Sequence, residues 1–169
     1  MNIAIKEAEE KYVTVCADIL QNTEIGTVYF SDYKKTVDLL LRALEQRELF
    51  VALNDNEDCL GFMYFVPKGV FGNYPYLHII AVKEECRNLG IGKQLIKYFE
   101  ENSSNYSSTK YFLTVDDFNP QARKLYESLG YQRVGELKDF YKDGITSYIM
   151  MKETNKSQLD GEMMQRKRN

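Results

Sequence analysis

The stretch Arg87-Asn88-Leu89-Gly90-Ile91-Gly92 lies between a strand predicted over Tyr74 to Val82 and an amphipathic helix predicted to start near Gly90. Glycines at such a junction let backbone N–H groups approach an anion at the positive end of the helix. The spacing excludes the dinucleotide fingerprint, which needs a third glycine where Leu95 stands, and the nucleotide P-loop, which needs Ser or Thr where Gln94 stands. The pattern that remains, R-x-x-G-x-G, fits either an anion-binding loop or a turn that glycine tightens.

A second pattern lies further along the chain, on another predicted helix. Asn119 is the expected N-cap of this helix and Gly130 its expected C-cap. The residues Asn119, Ala122, Tyr126, Gly130 and Tyr131 have the spacing N-x-x-A-x-x-x-Y-x-x-x-G-[FY]. With both patterns in this order, the sequence resembles the GCN5-related N-acetyltransferase (GNAT) superfamily, whose acyl-CoA pyrophosphate loop carries the first pattern. The second pattern therefore favours the anion-binding loop over the glycine turn.

The hydrophobic periodicity predicts the element order β-α-α-β-β-β-α-β-α-β-β over residues 1–152. This order resembles the GNAT acyl-CoA N-acyltransferase fold. The resemblance implies an α/β (α+β) structure with a central mixed sheet of about seven strands, flanked by about four helices. We expect residues 1–152 to form a single acetyltransferase domain and residues 153–169 to form a disordered polar tail.

Three local features follow from the pattern of apolar residues. The segment Gln21 to Tyr33 has no clear period, which predicts a loop. Pro67 and Gly69 are predicted to end the strand that precedes them. Both faces of Tyr74 to Val82 are mostly apolar, which predicts a strand that is covered on both sides.

The composition restricts the partners and the compartment. With 22 Lys and Arg against 25 Asp and Glu, the chain has a net charge of −3 and no clustered basic face, so no nucleic-acid partner is expected. The first residues lack a basic and apolar leader, and no apolar run is long enough to cross a bilayer, so we expect a cytoplasmic protein without a membrane partner. Cys16, Cys59 and Cys86 are too far apart for a disulfide framework or a local metal pair, and no metal is expected. We expect a monomer or a homodimer.

The resemblance implies acetyl-CoA as co-substrate, with no metal. It also implies the residues that bind acetyl-CoA: Ile80, Ala81 and Val82 at the end of the predicted strand, Arg87, Asn88, Leu89, Gly90, Ile91, Gly92 and Lys93 in and after the loop, and Asn119 and Tyr126 on the later helix. Main-chain groups of the loop would hold the pyrophosphate, and the strand end would pair with the pantetheine arm.

Two proton-transfer roles follow from the same resemblance. Tyr126 matches the family's general acid, since a phenol with a pKa of about 10 stays protonated at neutral pH and can give its proton to a departing thiolate. A core tyrosine is the alternative. His78, the only histidine, stands four residues before Val82, where many relatives carry a glutamate that collects the amine proton. Its ordinary pKa of about 6.5 suits a general base, and a histidine buried in the core is the alternative.

The acceptor, by the same resemblance, is held by the segment between the first two helices and by the closing hairpin, which implies Tyr29, Phe30, Tyr33 and Tyr141 as substrate-binding residues. The stretch Gly130 to Met150 resembles the branch that acetylates protein N-termini, including the ribosomal-protein alanine acetyltransferases. We therefore expect direct attack of a primary amine on acetyl-CoA in a ternary complex, the acceptor being a small amine or a peptide or protein N-terminus. A non-catalytic regulatory module that binds acyl-CoA is the alternative, and the matching tyrosine of the second pattern argues against it.

Overall fold

The computed structural model describes residues 2–104 and 109–154. The strands in this part of the chain are β1 (Ala4–Glu7), β2 (Leu49–Leu53), β3 (Cys59–Val70), β4 (Tyr74–Val82), β5 (Lys110–Asp116), β6 (Gln132–Lys138) and β7 (Thr146–Glu153). The α-helices are α1 (Val13–Gln21), α2 (Glu24–Tyr29), α3 (Tyr33–Glu45), α4 (Ile91–Ser104) and α5 (Pro120–Ser128). Short 3-10 turns cover Glu10–Tyr12 and Glu84–Cys86.

The strands belong to one seven-stranded mixed sheet in the order β1-β2-β3-β4-β5-β7-β6. The pairs β1 with β2, β2 with β3, β5 with β7 and β6 with β7 are antiparallel. This sheet and its flanking helices confirm the predicted fold class.

Two compact units divide the described residues, the first over 2–66 and 77–99 and the second over 67–76, 100–104 and 109–154. The single domain expected over residues 1–152 stays a prediction. Strand β7 continues to Glu153, whose carboxylate lies 2.8 Å from Lys110 Nζ, so the predicted tail begins too early. Residues 155–169 of that tail lie outside the described residues.

The core of the first unit joins helices α1 and α3 to the first strands. Leu20 of α1, Leu40 of α3 and Val51 of β2 are fully buried in one apolar cluster. Burial of one such side chain contributes about 1.5–3 kcal/mol to folding. Asp32 is the N-cap of helix α3, and its carboxylate accepts a hydrogen bond from Lys35 N at 3.1 Å. The cluster thereby fixes α1 and α3 against the strands.

The loop predicted over Gln21 to Tyr33 is wrong, because it contains helix α2. Thr23 is the N-cap, and its Oγ1 accepts a hydrogen bond from Gly26 N at 3.0 Å. A side chain at position 26 is excluded, since a Cβ there would lie 1.9 Å from the Leu20 carbonyl oxygen. A helix this short shows less than two turns of periodicity, which is too little to recognise in the sequence.

The predicted end of the third strand at Pro67 and Gly69 is also wrong, because β3 runs on to Val70. Strand β2 begins at Leu49, which lies opposite Tyr64, so the later part of β3 extends past β2. A proline beyond that point costs no hydrogen bond to β2, and the strand tolerates it.

Strand β4 has the predicted bounds but is not covered on both sides as predicted. Pro75, Leu77, Ile79 and Ala81 are buried, whereas on the alternate side His78 is exposed and its neighbours are half-buried. An apolar pattern reports that a face avoids water but does not say what covers it. One side of β4 is therefore partly open in the described protein.

The second unit is built on the antiparallel ladder of β5, β7 and β6, and helix α5 belongs to it. As predicted, Asn119 caps α5, with its Oδ1 accepting from Ala122 N at 3.2 Å, and Gly130 follows the helix with a φ of +93°. Tyr111, Leu113 and Met150 are buried in the core of this unit.

Candidate functional site

The glycine loop of the first unit bends the chain from β4 into α4. Asn88 has a φ of +62° and Gly90 a φ of +81°, both in the left-handed region. A Cβ at Gly90 would meet no atom within 4 Å, so the conformation and not a lack of space favours glycine here. Gln94 N makes an early helical hydrogen bond to Gly90 O at 3.1 Å. The preceding N–H groups, up to that of Lys93, lie in the first turn of the helix, where an anion finds donors.

The Arg87 side chain braces this loop. Its Nε donates to Val82 O at 3.4 Å, and its Nη2 donates to Asn22 O at 3.2 Å. The guanidinium thus joins the loop to the end of β4 and to the residue that follows α1. Asn88 and Leu89 are exposed, and so is Lys93 one turn later. The structure therefore places Arg87 to Lys93 in one loop and helix start, mostly exposed apart from the buried Ile91, and the predicted role of these residues in cofactor binding stays a prediction.

The end of β4 is approached closely by β3. Ala81 is buried, whereas Ile80 and Val82 are half-buried. A Cβ at Gly61 of β3 would lie 2.8 Å from the Ala81 carbonyl oxygen, so only glycine fits against this strand end. The sequence analysis missed Gly61, although an isolated glycine inside an apolar strand is the usual signal of such an approach.

His78 packs its ring edge against Tyr64, with the ring centroids 5.0 Å apart and the planes at 88°. Although part of the residue reaches solvent, the surrounding protein desolvates the imidazole and lowers its pKa. A lowered pKa leaves the ring neutral at pH 7, and a neutral imidazole can accept a proton. The position is compatible with the predicted base role and does not fit a histidine fully enclosed in a core.

Tyr126 lies in the second unit on α5 and is only 6% exposed. Burial raises the pKa of its phenol to about 12, so the hydroxyl stays protonated at neutral pH. Its ring packs edge-on against Tyr131, with centroids 6.1 Å apart. The ring is thus part of the core, and its hydroxyl keeps the proton that a general acid needs. Asn119 caps the same helix, and its predicted role in cofactor binding stays a prediction.

Of the predicted acceptor residues, three lie in the first unit. Tyr29 and Phe30 are half-buried with their rings edge to face at 6.5 Å, and Phe30 packs against the apolar cluster. Tyr33 begins α3 and is 42% exposed. The fourth residue, Tyr141, lies in the second unit, is exposed, and packs edge-on against Phe140 at 4.9 Å.

A hydroxyl pair in the second unit was missed by the sequence analysis. Tyr76 of β4 and Thr114 of β5 share a hydrogen bond of 2.9 Å between their side-chain oxygens. Burial raises the pKa of the Tyr76 phenol, and the nearby Tyr141 hydroxyl raises it further. Asp116, which accepts a hydrogen bond from Ser147 Oγ, is also close enough to raise that pKa.

Two further properties of the described residues bear on function. In residues 2–104 and 109–154, no group of three His, Cys, Asp or Glu side chains is placed to hold a metal ion. None of the helices in these ranges is both long and apolar enough to cross a membrane.

Comparisons with known proteins give one consistent family. The family model of the acetyltransferase (GNAT) family matches residues 15–131. An N-alpha-acetyltransferase of Saccharolobus solfataricus is 33% identical over 111 residues, which cover 60% of this chain and 66% of that protein. A thialysine N-epsilon-acetyltransferase of Sus scrofa is 33% identical over 81 residues, or 48% of each chain.

Among solved structures, the crystal structure of Ard1 from Thermoplasma volcanium has a TM-score of 0.77 at 20% identity, covering 92% of this chain and 99% of that one. This similarity shows the fold. The chain spans about half the length of several curated relatives that it matches.

Proposed function

The chain belongs to the acetyltransferase (GNAT) family, and we propose that it transfers an acetyl group from acetyl-CoA to a primary amine. The observation that carries this proposal is the loop before α4, where Asn88 and Gly90 have positive φ angles directly before the first turn of a helix. Such a curled backbone suits a pyrophosphate, because its N–H dipoles and the helix dipole both favour an anion. The residues present therefore fit the phosphate part of acetyl-CoA.

In the proposed complex, the backbone from Arg87 to Lys93 binds the pyrophosphate. Main-chain groups from Ile80 to Val82 bind the pantetheine arm as an added strand would be bound. The Arg87 side chain supports both segments, because its guanidinium already donates to Val82 O and Asn22 O. Arg87 would thus act chiefly by bracing the loop.

The proposed chemistry uses two proton-transfer groups. Acetyl-CoA supplies a thioester, whose C–S bond breaks as the amine nitrogen bonds to the acetyl carbon. Tyr126 donates its proton to the departing thiolate, which its pKa of about 12 permits at neutral pH. His78, neutral because its pKa is lowered, takes the proton that the amine loses.

For the acceptor, we propose the α-amino group of a peptide or protein. The relative from Saccharolobus solfataricus is named an N-alpha-acetyltransferase. Tyr33 and Tyr141, together with Phe140, are exposed aromatic side chains that can pack along a peptide backbone. A small amine acceptor is the second candidate, supported by the relative that is named a thialysine N-epsilon-acetyltransferase.

The test measures CoA release with a thiol reagent, using acetyl-CoA and a panel of small amines and N-terminal peptides. We expect turnover that requires both substrates and is largest for peptides with a free α-amine. Peptides blocked at the N-terminus are the matched control. If acetyl-CoA raises the melting temperature while no acceptor in the panel supports turnover, the non-catalytic acyl-CoA-binding module is the better description. If acetyl-CoA neither raises the melting temperature nor is consumed, the proposal is wrong.

A further inference from the structure

A mostly buried ion pair in the second unit lies beside the two packed tyrosines of α5 and its C-terminal turn. Glu100 Oε2 and Lys152 Nζ are 2.7 Å apart, and their side chains are only 17% and 22% exposed. Lys152 Nζ also lies 5.8 Å from the centroid of the Tyr131 ring, within the range of a cation–π contact. The pair therefore connects α4 and β7 at the position of Tyr131.

Tyr131 connects this ion pair to Tyr126. Its side chain is 2% exposed, and its ring meets that of Tyr126 at an interplanar angle of 62°. Its backbone N–H donates to Tyr126 O at 3.0 Å. Burial raises the pKa of the Tyr131 phenol, and the Glu100 carboxylate is close enough to raise it further. Lys152, Glu100, Tyr131 and Tyr126 thus form a continuous series of contacts.

Stability alone does not account for this series. Apolar side chains of similar volume often stabilise a core as well as a buried ion pair does, because burial of charges carries a desolvation cost. Burial raises the pKa of Glu100 even though Lys152 opposes the shift. Within the described residues, neither Glu100 Oε1 nor the Tyr131 hydroxyl makes a hydrogen bond of ordinary length and angle, although the two groups interact, so the arrangement is not the best one for stability alone. Proteins often keep buried polar groups despite this cost in stability because such groups orient a reacting side chain.

We propose that the Glu100–Lys152 ion pair, acting through Tyr131, positions the ring of Tyr126 for proton donation. The inference rests on the acetyl transfer proposed above, since it supplies a support for the general acid of that reaction. Glu100, Lys152 and Tyr131 are positioning residues, because their contacts lead to Tyr126 and the role requires no contact with substrate. The ion pair fixes Tyr131, and the edge-on contact with Tyr131 restricts the ring of Tyr126.

The test is a double-mutant cycle on kcat. The variant Glu100→Gln with Lys152→Met removes both charges together, so that no unpaired charge stays buried. We expect kcat to fall about tenfold in the presence of Tyr126 and less than about twofold when Tyr126→Phe is already present, because coupled residues are not additive. The KM for acetyl-CoA should not change in either background. The matched control is Glu153→Gln with Lys110→Met, which removes an ion pair of 2.8 Å between β5 and β7 in the same unit.

The outcomes separate this inference from the proposed function. Equal losses of kcat in both backgrounds would overturn the positioning role and leave Tyr126 as the acid. A Tyr126→Phe enzyme with normal kcat would overturn the acid role and with it the positioning role. If the charge-free variant does not fold, Tyr131→Phe replaces it in the same cycle, because this change keeps the ring and removes only the hydroxyl beside Glu100.

A second measurement requires no turnover. The protein is labelled with carbon-13 in its tyrosine rings and studied by NMR. The signal that is missing from the spectrum of Tyr126→Phe is assigned to Tyr126. We expect faster flipping of the Tyr126 ring in the charge-free variant and an unchanged rate in the control variant. A Tyr126 ring that flips at the wild-type rate without the ion pair would show that the pair does not position it, whatever the acceptor of the enzyme proves to be.

Discussion

The loop before α4 and the helix α5 place functional groups in opposite ways. In the loop, Asn88 and Gly90 adopt positive φ angles and the residues around them are exposed, so that backbone N–H groups are presented. In α5 the group of interest is the phenol of Tyr126, which is almost fully buried. The loop depends on a backbone conformation that glycine adopts without strain, and the helix depends on one particular side chain. Changes in the loop should therefore alter binding, whereas changes around Tyr126 should alter the rate of the reaction.

The largest effect is expected from Tyr126→Phe. This change keeps the buried ring and removes the proton donor, so kcat should fall by ~10² to 10⁴ with little change in acetyl-CoA affinity. Steady-state kinetics measured with a saturating acceptor check the prediction. Tyr12→Phe is a matched control in the first unit, since Tyr12 is also 6% exposed. A normal kcat in Tyr126→Phe would show that Tyr126 is a core residue only and that α5 does not control the rate of the reaction.

Gly90→Val should act on binding. A β-branched residue at a φ of +81° is strained by about 1–2 kcal/mol and will pull the loop out of its anion-binding conformation. The rise in melting temperature that acetyl-CoA produces should disappear. Gly72→Val is the matched control, because Gly72 has a φ of +67° in the turn before β4 and also has open space around it. If both variants keep the acetyl-CoA shift, the pyrophosphate site lies elsewhere.

The contrast between these two regions also explains what the sequence could predict. The loop and α5 were predicted because their conformations need particular residues at fixed spacings: glycine where φ is positive, an N-cap at Asn119 and a C-cap glycine at Gly130. Requirements of this kind can be recognised from the residue types and their spacing alone. The hydrophobic periodicity predicted the order of the elements, whereas the mixed sheet of about seven strands was implied by the resemblance to the GNAT fold.

Features without a recognisable local pattern were not predictable in this way. Helix α2 depends on one cap at Thr23 and on the fit of Gly26 against the Leu20 carbonyl, and a six-residue segment gives no periodicity. The hydrogen bond between Tyr76 and Thr114 joins residues 38 positions apart, which no local pattern reports. The open side of β4 was missed because an apolar strand pattern is the same whether protein or a ligand covers it.

His78→Gln tests the second proposed proton-transfer group through the pH dependence of the reaction. The pKa of His78 in the folded protein is lowered below its ordinary 6.5, so the neutral base predominates at pH 7 and kcat/KM should fall as pH drops through that lowered pKa. His78→Gln should remove this acidic inflection. Two acceptor amines of different pKa are needed, because an inflection that moves with the amine and persists in the variant would exclude His78 as the base.

The same lowered pKa has a consequence for stability. Because the unfolded chain binds the proton more tightly than the folded protein, the free energy of unfolding should decrease as pH falls from about 6.5 through the folded pKa. The stabilisation is fully present above pH 6.5. Denaturant titrations at a series of pH values give the free energy of unfolding of wild type and His78→Gln. The change of this free energy with pH should differ between the two proteins only within this acidic window. An identical pH dependence in the two proteins would mean that the pKa of His78 is not lowered in the folded protein.

The smallest effect is expected from Asn119→Ala, which removes the cap of the helix that carries Tyr126. Loss of the hydrogen bond from Ala122 N should lower the free energy of unfolding by about 1 kcal/mol. Asp32→Ala removes the equivalent cap from α3, where the hydrogen bond from Lys35 N is 3.1 Å long, and should cost a similar amount. Only the change at Asn119 frays the helix that carries Tyr126, the proposed proton donor, so only that change should lower kcat. The variant Asn119→Asp should restore both stability and rate, because a carboxylate caps a helix equally well. Equal effects of both caps on kcat would mean that general destabilisation, and not the orientation of Tyr126, limits the reaction.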